Sequence, residues 1–548
     1  MQEPARAAPK HRDDRVLLQF DYDCFYAQVV ENRDPSLKSR PLGIKQKNIL
    51  ATCNYHARRR GVRKLMLVSE ATTLCPDLVL VEGEDLTPFR ETSKRLFSFF
   101  RSHSWNNKVE RLGLDEVFMD VTDMVDYNLS CINKLSLSDS FFCLTKEDPE
   151  QGFSCDLTSI AGCVVGTPVS SEQLQDDTYL RLLLASHLAQ YLRLEVEKVF
   201  GYTSTCGIAA NKLLSKLVGG CNKPRNQTTL LALKEEDVYS FIDGYGIKQL
   251  PGLGRKMALS LESQILSLDP EAKSADSSLT VGQVRNHPSI SAGSLESLLG
   301  GPGAEKGIGA RVWRLLHGVD PTEVKEASDI PSQISVEDTY KGLETTAQIN
   351  EQLHRLSCSL VRRLRSELVV GDDKAGAQRW MARPKTLRLS IRSWPTRQGG
   401  DSEQSHSFSR VSRSGPLPGF VFDLDVDMEQ IAQQLTAEAL IPLLRRLQNG
   451  QGWNLQLLNI CVANMVAVAG DDKTGAGRDI GIMFKTQDEL LRPWRVMQPS
   501  EDDEVEEAAF EECDMDGGWD STQHCPRCGH LMPGFAMAAH ARYHELGE

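Results

Sequence analysis

Apolar residues recur along this chain at two spacings. The run Val16-Leu17-Leu18-Gln19-Phe20 is too short for a helix and predicts a buried strand ending at Asp21. Residues 86–100 carry Leu86, Phe89, Leu96, Phe97 and Phe100 at helical spacing, and 109–122 read as strand, turn and strand around Gly113-Leu114-Asp115-Glu116. From 127 to 177 the chain turns Ser-, Asp- and Cys-rich with weak periodicity, which predicts an inserted or mobile surface segment. A helix follows at 179–198, with Leu180, Leu183, Leu184, His187, Leu188 and Tyr191 on one side. Strands and helices alternate through this part, which predicts an α/β or α+β core.

Residues 238–266 read helix, tight turn, helix, with Leu250-Pro251-Gly252-Leu253-Gly254 as the turn, and 269–306 are rich in Ser, Pro and Gly. The polar, irregular stretch around 320–345 reads as an interdomain linker. A second unit then opens with an amphipathic helix carrying Ile349, Leu353, Leu356, Leu360, Val361, Leu364 and Leu368. In the strand 385–393, Leu387, Leu389 and Ile391 alternate with Arg388 and Arg392, so the two sets fall on opposite faces. A helix near 428–448 and a strand near 454–468 complete the unit. Beyond 470 the apolar pattern fades, and 501–516 hold ten acids and no base, the composition of a disordered tail.

At 548 residues, with 40% apolar and 25% charged side chains, the chain is long enough for three or four ordinary soluble domains. Fourteen cysteines, mostly scattered singly, are too dilute for a disulfide framework and fit a reducing compartment. The polar start MQEPARAAPKHRDDR lacks an apolar signal region, and no run approaches the ~20 apolar residues that cross a bilayer. The net charge of −13 is misleading about partners. Residues 501–548 contribute 13 acids against two Arg, so the first 500 residues hold 62 acids and 60 bases. Residues 351–397 carry 11 Lys/Arg against four Asp/Glu, a basic patch of the kind a phosphate backbone attracts.

Acidic residues at a strand end are ordinarily solvated turn residues. Here Asp21-Tyr22-Asp23 closes one strand and Asp115-Glu116 sits in a strand–turn–strand pattern. Consecutive strand residues face opposite ways, so Asp115 and Glu116 can share a site only at a strand end or turn, which Gly113 permits. Three carboxylates from neighbouring strands suit two hard divalent cations, which clamp the attacking and leaving oxygens of a phosphoryl transfer.

Four segments in order, DYDCFYAQVV, GIKQKNILATCNYHARRRGVRKLM, CPDLVLVEGEDLTPFRETSKRL and VERLGLDEVFMDVT, resemble Y-family translesion DNA polymerases. The resemblance covers roughly residues 15–470. It implies an α+β multidomain protein, a right-hand polymerase with an acidic disordered tail and a small zinc finger. The palm would comprise 15–35 and 82–235, the fingers 36–81, the thumb 236–325 and the little finger 333–470. An acidic linker at 471–522 and a zinc finger at 523–548 would follow. Such a protein works in the nucleus on primer–template DNA and deoxynucleoside triphosphates.

Carried over by residue, the resemblance makes Asp21, Asp115 and Glu116 the catalytic ligands of two Mg²⁺ (or Mn²⁺) ions, with the Tyr22 carbonyl as a further ligand. Asp23 reads as a structural carboxylate bonding the backbone of its turn. Phe25 and Tyr26 are implied nucleotide-binding residues, Tyr26 matching the aromatic that excludes ribonucleotides. Tyr55, Arg58 and Lys223 match contacts to the incoming triphosphate, and Gln46 and Lys47 match fingers positions above the nascent base pair. Of the basic run Arg58, Arg59, Arg60, Arg63 and Lys64, only Arg58 is expected to face the site. Where the family motif carries Glu this chain has Val30, with Glu31 adjacent.

Gly252, Gly254, Arg255 and Lys256 read as a helix-hairpin-helix, whose glycines let a DNA phosphate approach the second helix's N-terminus. Alone, the same turn would be a plain helical hairpin. Arg388 and Arg392 lie where the family's little finger follows the DNA backbone. Cys525-Pro-Arg-Cys528, eleven residues, then His540-Ala-Arg-Tyr-His544 is a tetrahedral zinc signature. It resembles the ubiquitin-binding zinc fingers of the family, except that Arg542 stands where those fingers carry Asp. Ubiquitin, alone or on a sliding clamp, is the partner implied. Gln487 to Trp494 weakly resembles a sliding-clamp peptide, with Pro493 at one aromatic position. Two other readings are a non-catalytic repair scaffold binding DNA and ubiquitin, and a simple DNA-binding module. The first is disfavoured by the three carboxylates, and the second leaves Tyr55 and Lys223 unexplained.

Overall fold

The computed structural model describes residues 8–11, 14–134, 136–167, 176–268, 278–301, 303–371, 378–394, 410–447 and 452–468, with the strands at 522–524 and 531–533. The chain divides into two units, Met1–Pro331 and Ser332–Glu548.

The first unit begins with β1 (Leu17–Tyr22) and α1 (Phe25–Arg33). Next come β2 (Leu42–Gln46), β3 (Ile49–Cys53), α2 (Tyr55–Arg59), α3 (Val68–Leu74) and β4 (Val79–Glu82). These strands form a small sheet in the order β3-β2-β4, with its own core of Leu50, Cys53, Ala57, Val62, Ala71, Cys75 and Leu78. The chain continues through α4 (Thr87–Ser102), β5 (Val109–Leu112), β6 (Glu116–Asp120) and α5 (Thr122–Cys131). It then forms β7 (Ser140–Cys143), β8 (Gly152–Cys155), β9 (Cys163–Gly166) and the long α6 (Asp177–Phe200). Last come β10 (Ser204–Ala209), α7 (Lys212–Val218) and β11 (Gln227–Leu231).

The main sheet runs β5-β6-β1-β10-β11-β9, so β1 lies at its centre, antiparallel to both neighbours. Leu18, Phe20 and Tyr22 enter the core shared with Phe100 and Leu183, while Leu17 meets Phe118 and Val324 on the other face. Burial on both faces explains why 16–20 reads as an unbroken apolar run. Gln19 and Asp21 share the face of Leu17 by alternation, which takes the polar end of the strand away from the main core.

Within 127–177, where the composition predicts an inserted or mobile surface segment, the described residues form three strands. β7 and β8 pair as a hairpin, and β9 is an edge strand of the main sheet, parallel to β11. Phe142 is fully buried and stacks on Phe153, which stacks in turn on Tyr191 of α6 at 4.5 Å. The strands are four residues long, and one inward position of β7 is Ser140, so no apolar alternation is visible.

A helical subunit of the fold follows: α8 (Glu235–Ile242), α9 (Arg255–Leu268), α10 (Val281–Asn286), α11 (Ala292–Leu299) and α12 (Ile308–Leu316), around Leu250, Leu253, Leu261 and Leu316. Gly252 has φ +84°, and a Cβ there would press against Leu315 at 3.1 Å. Glycine alone suits that turn.

The second unit contains β12 (Gln333–Leu343), α13 (Thr346–Leu368), β13 (Val369–Gly371), β14 (Gln378–Trp380), β15 (Ala382–Ser393) and β16 (Val411–Pro416). It ends with α14 (Met428–Leu435), a π turn at Thr436–Leu440, α15 (Ile441–Arg445) and β17 (Leu455–Ala467). Its sheet runs β12-β17-β15-β16. The expected linker at 320–345 therefore holds an eleven-residue strand, polar because it is a half-exposed edge. α13 buries the seven apolar residues its periodicity predicts, and Thr345 caps its start by accepting from the Gln348 amide. On β15 the alternation stops after Leu389. Ser390 is buried with Ser412 as its partner at 2.8 Å, and Arg392 is half-buried where an exposed residue is predicted.

Thr522–His524 (β18) pairs antiparallel with Leu531–Pro533 (β19). Cys525, Cys528, His540, His544, the acidic stretch and Gln487–Trp494 lie outside the described residues. No helix among the described residues is long and apolar enough to cross a membrane.

Candidate active site

Two paired strands bring the three carboxylates together. Asp21 lies opposite Glu116 in the β1–β6 register, and the Tyr22 amide donates to the Asp115 carbonyl at 2.9 Å. Glu116 is the first residue of β6, and Asp115 belongs to the turn made by Gly113 at φ +71°. The turn frees Asp115 from strand alternation, so its carboxylate feels the charges of Asp21 and Glu116. Asp21 and Glu116 are only 21% and 19% exposed. The Tyr22 ring is buried against Phe25 and Phe100.

Two ammonium groups answer the three acids. Lys223 Nζ lies 2.6 Å from Asp21 and Lys216 Nζ lies 2.6 Å from Glu116, while Gln19 donates to Glu116 at 3.4 Å. Burial, followed by the charges of Asp21 and Glu116, raises the Asp115 carboxyl above its ordinary range. A half-buried cluster of oxygen donors with excess negative charge is the donor set that Mg²⁺ and Mn²⁺ prefer. The residues present therefore fit such ions.

The Asp23 carboxylate bonds distant segments where its own turn is the expected partner. Its side chain is buried and accepts from Thr203 Oγ1 at 2.9 Å and from the Arg225 amide at 2.8 Å. It thus anchors the 222–226 loop, 200 residues along, and with it Lys223. Gln28 reinforces the anchor by accepting from the Thr203 amide at 2.8 Å.

Tyr26 is half-buried and stacks on Phe89 with centroids 4.2 Å apart and planes 18° from parallel. Burial and then the charge of Asp115 push its hydroxyl upward. Phe25 is buried in the core, its ring centroid 5.9 Å from that of Tyr26. Arg58 lies over the Tyr55 ring at 4.6 Å and donates through Nε to the Cys53 carbonyl at 3.1 Å. The Tyr55 hydroxyl is pushed up to about 12 by burial, then by Asp23, and Asp21 adds to it. Tyr55, Asp21 and Asp23 thus share one electrostatic environment.

Arg60 instead pairs with Asp77, and Arg59, Arg63 and Lys64 are exposed. Gln46 donates to the Gly83 carbonyl at 2.8 Å, and Lys47 turns the chain at φ +52°, its amide donating to Glu84 at 3.1 Å. Val30 packs against the core, whereas Glu31 accepts from Asn54 at 2.8 Å. Asn54 caps α2 through the Ala57 amide, so Glu31 steadies the helix that carries Tyr55 and Arg58.

Arg255 and Lys256 occupy the exposed first turn of α9, after Gly252 and Gly254. In the second unit Arg388 is exposed and donates to Ser414 at 3.4 Å. Sequence reasoning missed Lys216 and the anchoring role of Asp23. Both depend on packing across more than 90 residues, and no local pattern announces either.

Comparison with known proteins gives a consistent result. Residues 20–220 match the impB/mucB/samB family, and residues 331–475 match the C-terminal domain of the same family. The chain is 32% identical to DNA polymerase iota of Homo sapiens over 455 residues, 83% of this chain and 53% of that protein. It is 29% identical to DNA polymerase iota of Drosophila melanogaster over 480 residues, 86% of this chain and 57% of that protein. It is 27% identical to DNA polymerase IV of Francisella philomiragia over 358 residues, 64% of this chain and 79% of that protein. The chain spans little more than half the length of the two iota relatives.

Proposed function

The chain belongs to the Y-family of DNA polymerases, the impB/mucB/samB family, and on that premise we propose that it is a template-directed, low-fidelity polymerase that inserts nucleotides opposite damaged bases in the nucleus. The observation that carries the reading is the meeting of Asp21, Asp115 and Glu116 at adjoining ends of paired strands, beside Lys223 and Tyr55. In this reading the main sheet is the palm, residues 36–81 the fingers, 236–325 the thumb and 333–470 the little finger.

The primer 3′-hydroxyl attacks the α-phosphate of a deoxynucleoside triphosphate and pyrophosphate leaves. Asp21, Asp115, Glu116 and the Tyr22 carbonyl would hold two Mg²⁺ (or Mn²⁺) ions, which when bound supply charge stabilisation and lower the hydroxyl's pKa. Lys223 exchanges Asp21 for a phosphate oxygen as the nucleotide arrives. Arg58 offers the phosphates charge-assisted bonds. The raised Tyr55 hydroxyl stays protonated at neutral pH and so donates to phosphate. The Tyr26 ring, backed by Phe89, stands against the sugar C2′ and excludes a 2′-hydroxyl. Gln46 and Lys47 lie above the nascent pair. Arg255 and Lys256, with the turn at Gly252 and Gly254, and the exposed Arg388 hold the DNA backbone; Arg392, half-buried, contributes less.

The tail is read as a recruitment module. Cys525, Cys528, His540 and His544 would bind one Zn²⁺, and the finger would bind ubiquitin, on a sliding clamp among other carriers. The pairing of β18 with β19 supports the metal site, because it joins the two ends of the six-residue segment that contains both cysteines, as in a ββα finger. Cys525→Ala should leave primer extension unchanged and weaken ubiquitin binding, and titration of labelled ubiquitin with and without a chelator checks it.

Primer extension on damaged and undamaged templates, comparing the full chain with Asp115→Ala, tests the central reading. Extension by the unaltered chain alone supports a polymerase. Extension by neither, with DNA and ubiquitin still bound, supports the scaffold.

A further inference from the structure

A second set of ligating side chains lies in the other unit. His354 and Cys358 are four apart on α13 and therefore share one helical face. Glu429, in the first turn of α14, reaches them from across the helix pair. Cys358 Sγ donates to Glu429 Oε2 at 3.2 Å, His354 Nε2 lies 3.3 Å from Glu429 Oε1, and the sulfur and that nitrogen are 3.8 Å apart.

We infer that His354, Cys358 and Glu429 form a Zn²⁺ site that clasps α13 to α14, with water as the fourth ligand. One donor atom from each residue lies within 4.8 Å of the others, close enough to gather round one ion. With bonds of about 2.3 Å to sulfur and about 2.0–2.2 Å to nitrogen or oxygen, a tetrahedral centre holds its ligand atoms roughly 3.3–3.6 Å apart. The sulfur–nitrogen edge of 3.8 Å lies a few tenths of an ångström from this range, whereas the 3.2 and 3.3 Å contacts end on different oxygens of Glu429, so rotation of that exposed carboxylate is needed to bring one oxygen to both atoms. One thiol, one imidazole and one carboxylate are a borderline-soft donor set, suited to zinc and poorly suited to Mg²⁺ or Ca²⁺. On binding, the Cys358 thiol releases its proton to solvent and the sulfur–carboxylate hydrogen bond is replaced by two metal bonds. Without metal, burial and then the Glu429 carboxylate push the Cys358 thiol up to about 11, with Arg362, one turn along α13, opposing them.

The surroundings preorganise the triad. Next to Cys358, Ser357 accepts from Thr436 at 3.0 Å in a buried bond that ties the two helical segments together. Arg365 donates to the carbonyls of Asp423 and Val426, at 2.9 and 2.7 Å, and so fixes the chain entering α14. Asp427 caps that helix by accepting from the Glu429 amide at 2.9 Å. His354 and Glu429 are 32% and 66% exposed, which leaves the ion a path in from solvent.

Cobalt(II) titration of the metal-free full chain tests the site, in a background of Cys513→Ser, Cys525→Ser and Cys528→Ser so that the tail cannot contribute thiolate. The expected result is one equivalent of Co²⁺ with a thiolate-to-metal charge-transfer band and the visible envelope of tetrahedral coordination. Cys358→Ser should abolish the band and weaken binding by more than about a hundredfold, beyond the usual cost of losing an outer-shell partner. Glu429→Gln, at an exposed position that leaves the fold intact, should weaken binding at least about tenfold. No band in the starting chain, or a band that survives Cys358→Ser, overturns the proposal. Should Cys358→Ser fail to fold, unchanged cobalt affinity in Glu429→Gln overturns it equally.

Discussion

The two clusters of ligating side chains are held together in opposite ways. At the ends of β1 and β6, three acids of one sign share a half-buried site. Two lysines answer two of them, and the third, Asp115, is pushed upward by burial and by its neighbours. Between α13 and α14, by contrast, a thiol donates to a carboxylate and an imidazole stands beside it, so the group satisfies its own hydrogen bonds. The first arrangement is electrostatically frustrated in the folded protein and relieved by cations, which is how sites for chemistry are often built. The second is already relaxed, and a metal there would add stability to a helix pair without changing any reaction. Substitutions should therefore separate the two: function lost at one, metal affinity alone at the other.

The largest effect is expected at the carboxylates. Asp21→Ala, Asp115→Ala and Glu116→Ala should each cut single-nucleotide insertion by more than about a thousandfold, with DNA affinity near that of the unaltered chain because the basic surfaces lie elsewhere. Near-normal rates in two of the three would undo the assignment. Cys358→Ser should leave the same assay untouched. A smaller effect is expected at Tyr26, where Ala should raise ribonucleotide insertion relative to deoxynucleotide insertion by about ten- to a hundredfold; an unchanged ratio would make Tyr26 a core aromatic and nothing more. Asp23→Asn should loosen the loop that carries Lys223. The KM for nucleotide should rise about tenfold, the scale of one charge-assisted hydrogen bond, with kcat changed less.

What could be read in the sequence follows the range of the interaction. Strand 17–22, the turn at Gly113 and the buried face of α13 were legible because each rests on neighbours within a few residues. β7, β8 and β12 were not, since four-residue strands and half-exposed edges carry little apolar alternation. At the site, Asp21, Asp115 and Glu116 stood out by position relative to strand ends. Lys216 and the Asp23–Arg225 bond did not, because each spans 100 residues or more and exists only through tertiary packing. The same holds for the second cluster: His354 and Cys358 are a visible i, i+4 pair, but Glu429 lies 71 residues beyond Cys358.

The smallest expected effect is the sharpest test of the contrast, because it concerns stability. The Asp115 carboxyl is raised in the folded state, so folding favours its protonated form and the ionised form costs stability at neutral pH. Asp115→Asn keeps the shape and removes the charge. It should abolish insertion and yet raise the melting temperature by about 1–3 °C at neutral pH. The sign with pH follows: as pH falls through the raised folded value, the native carboxyl takes up its proton and the unaltered chain gains stability, so the two melting curves should converge. Glu429→Gln supplies the control. Its carboxylate accepts the Cys358 thiol and faces no like charge in the triad, so neutralising it removes a favourable contact and should not raise the melting temperature. Thermal denaturation of both variants across pH 4.5–7.5, an interval of about three units spanning the carboxylate range and neutrality, decides between them. A stabilised Glu429→Gln, or an Asp115→Asn that melts lower than the unaltered chain, would show that the two clusters do not differ in the way their geometry implies.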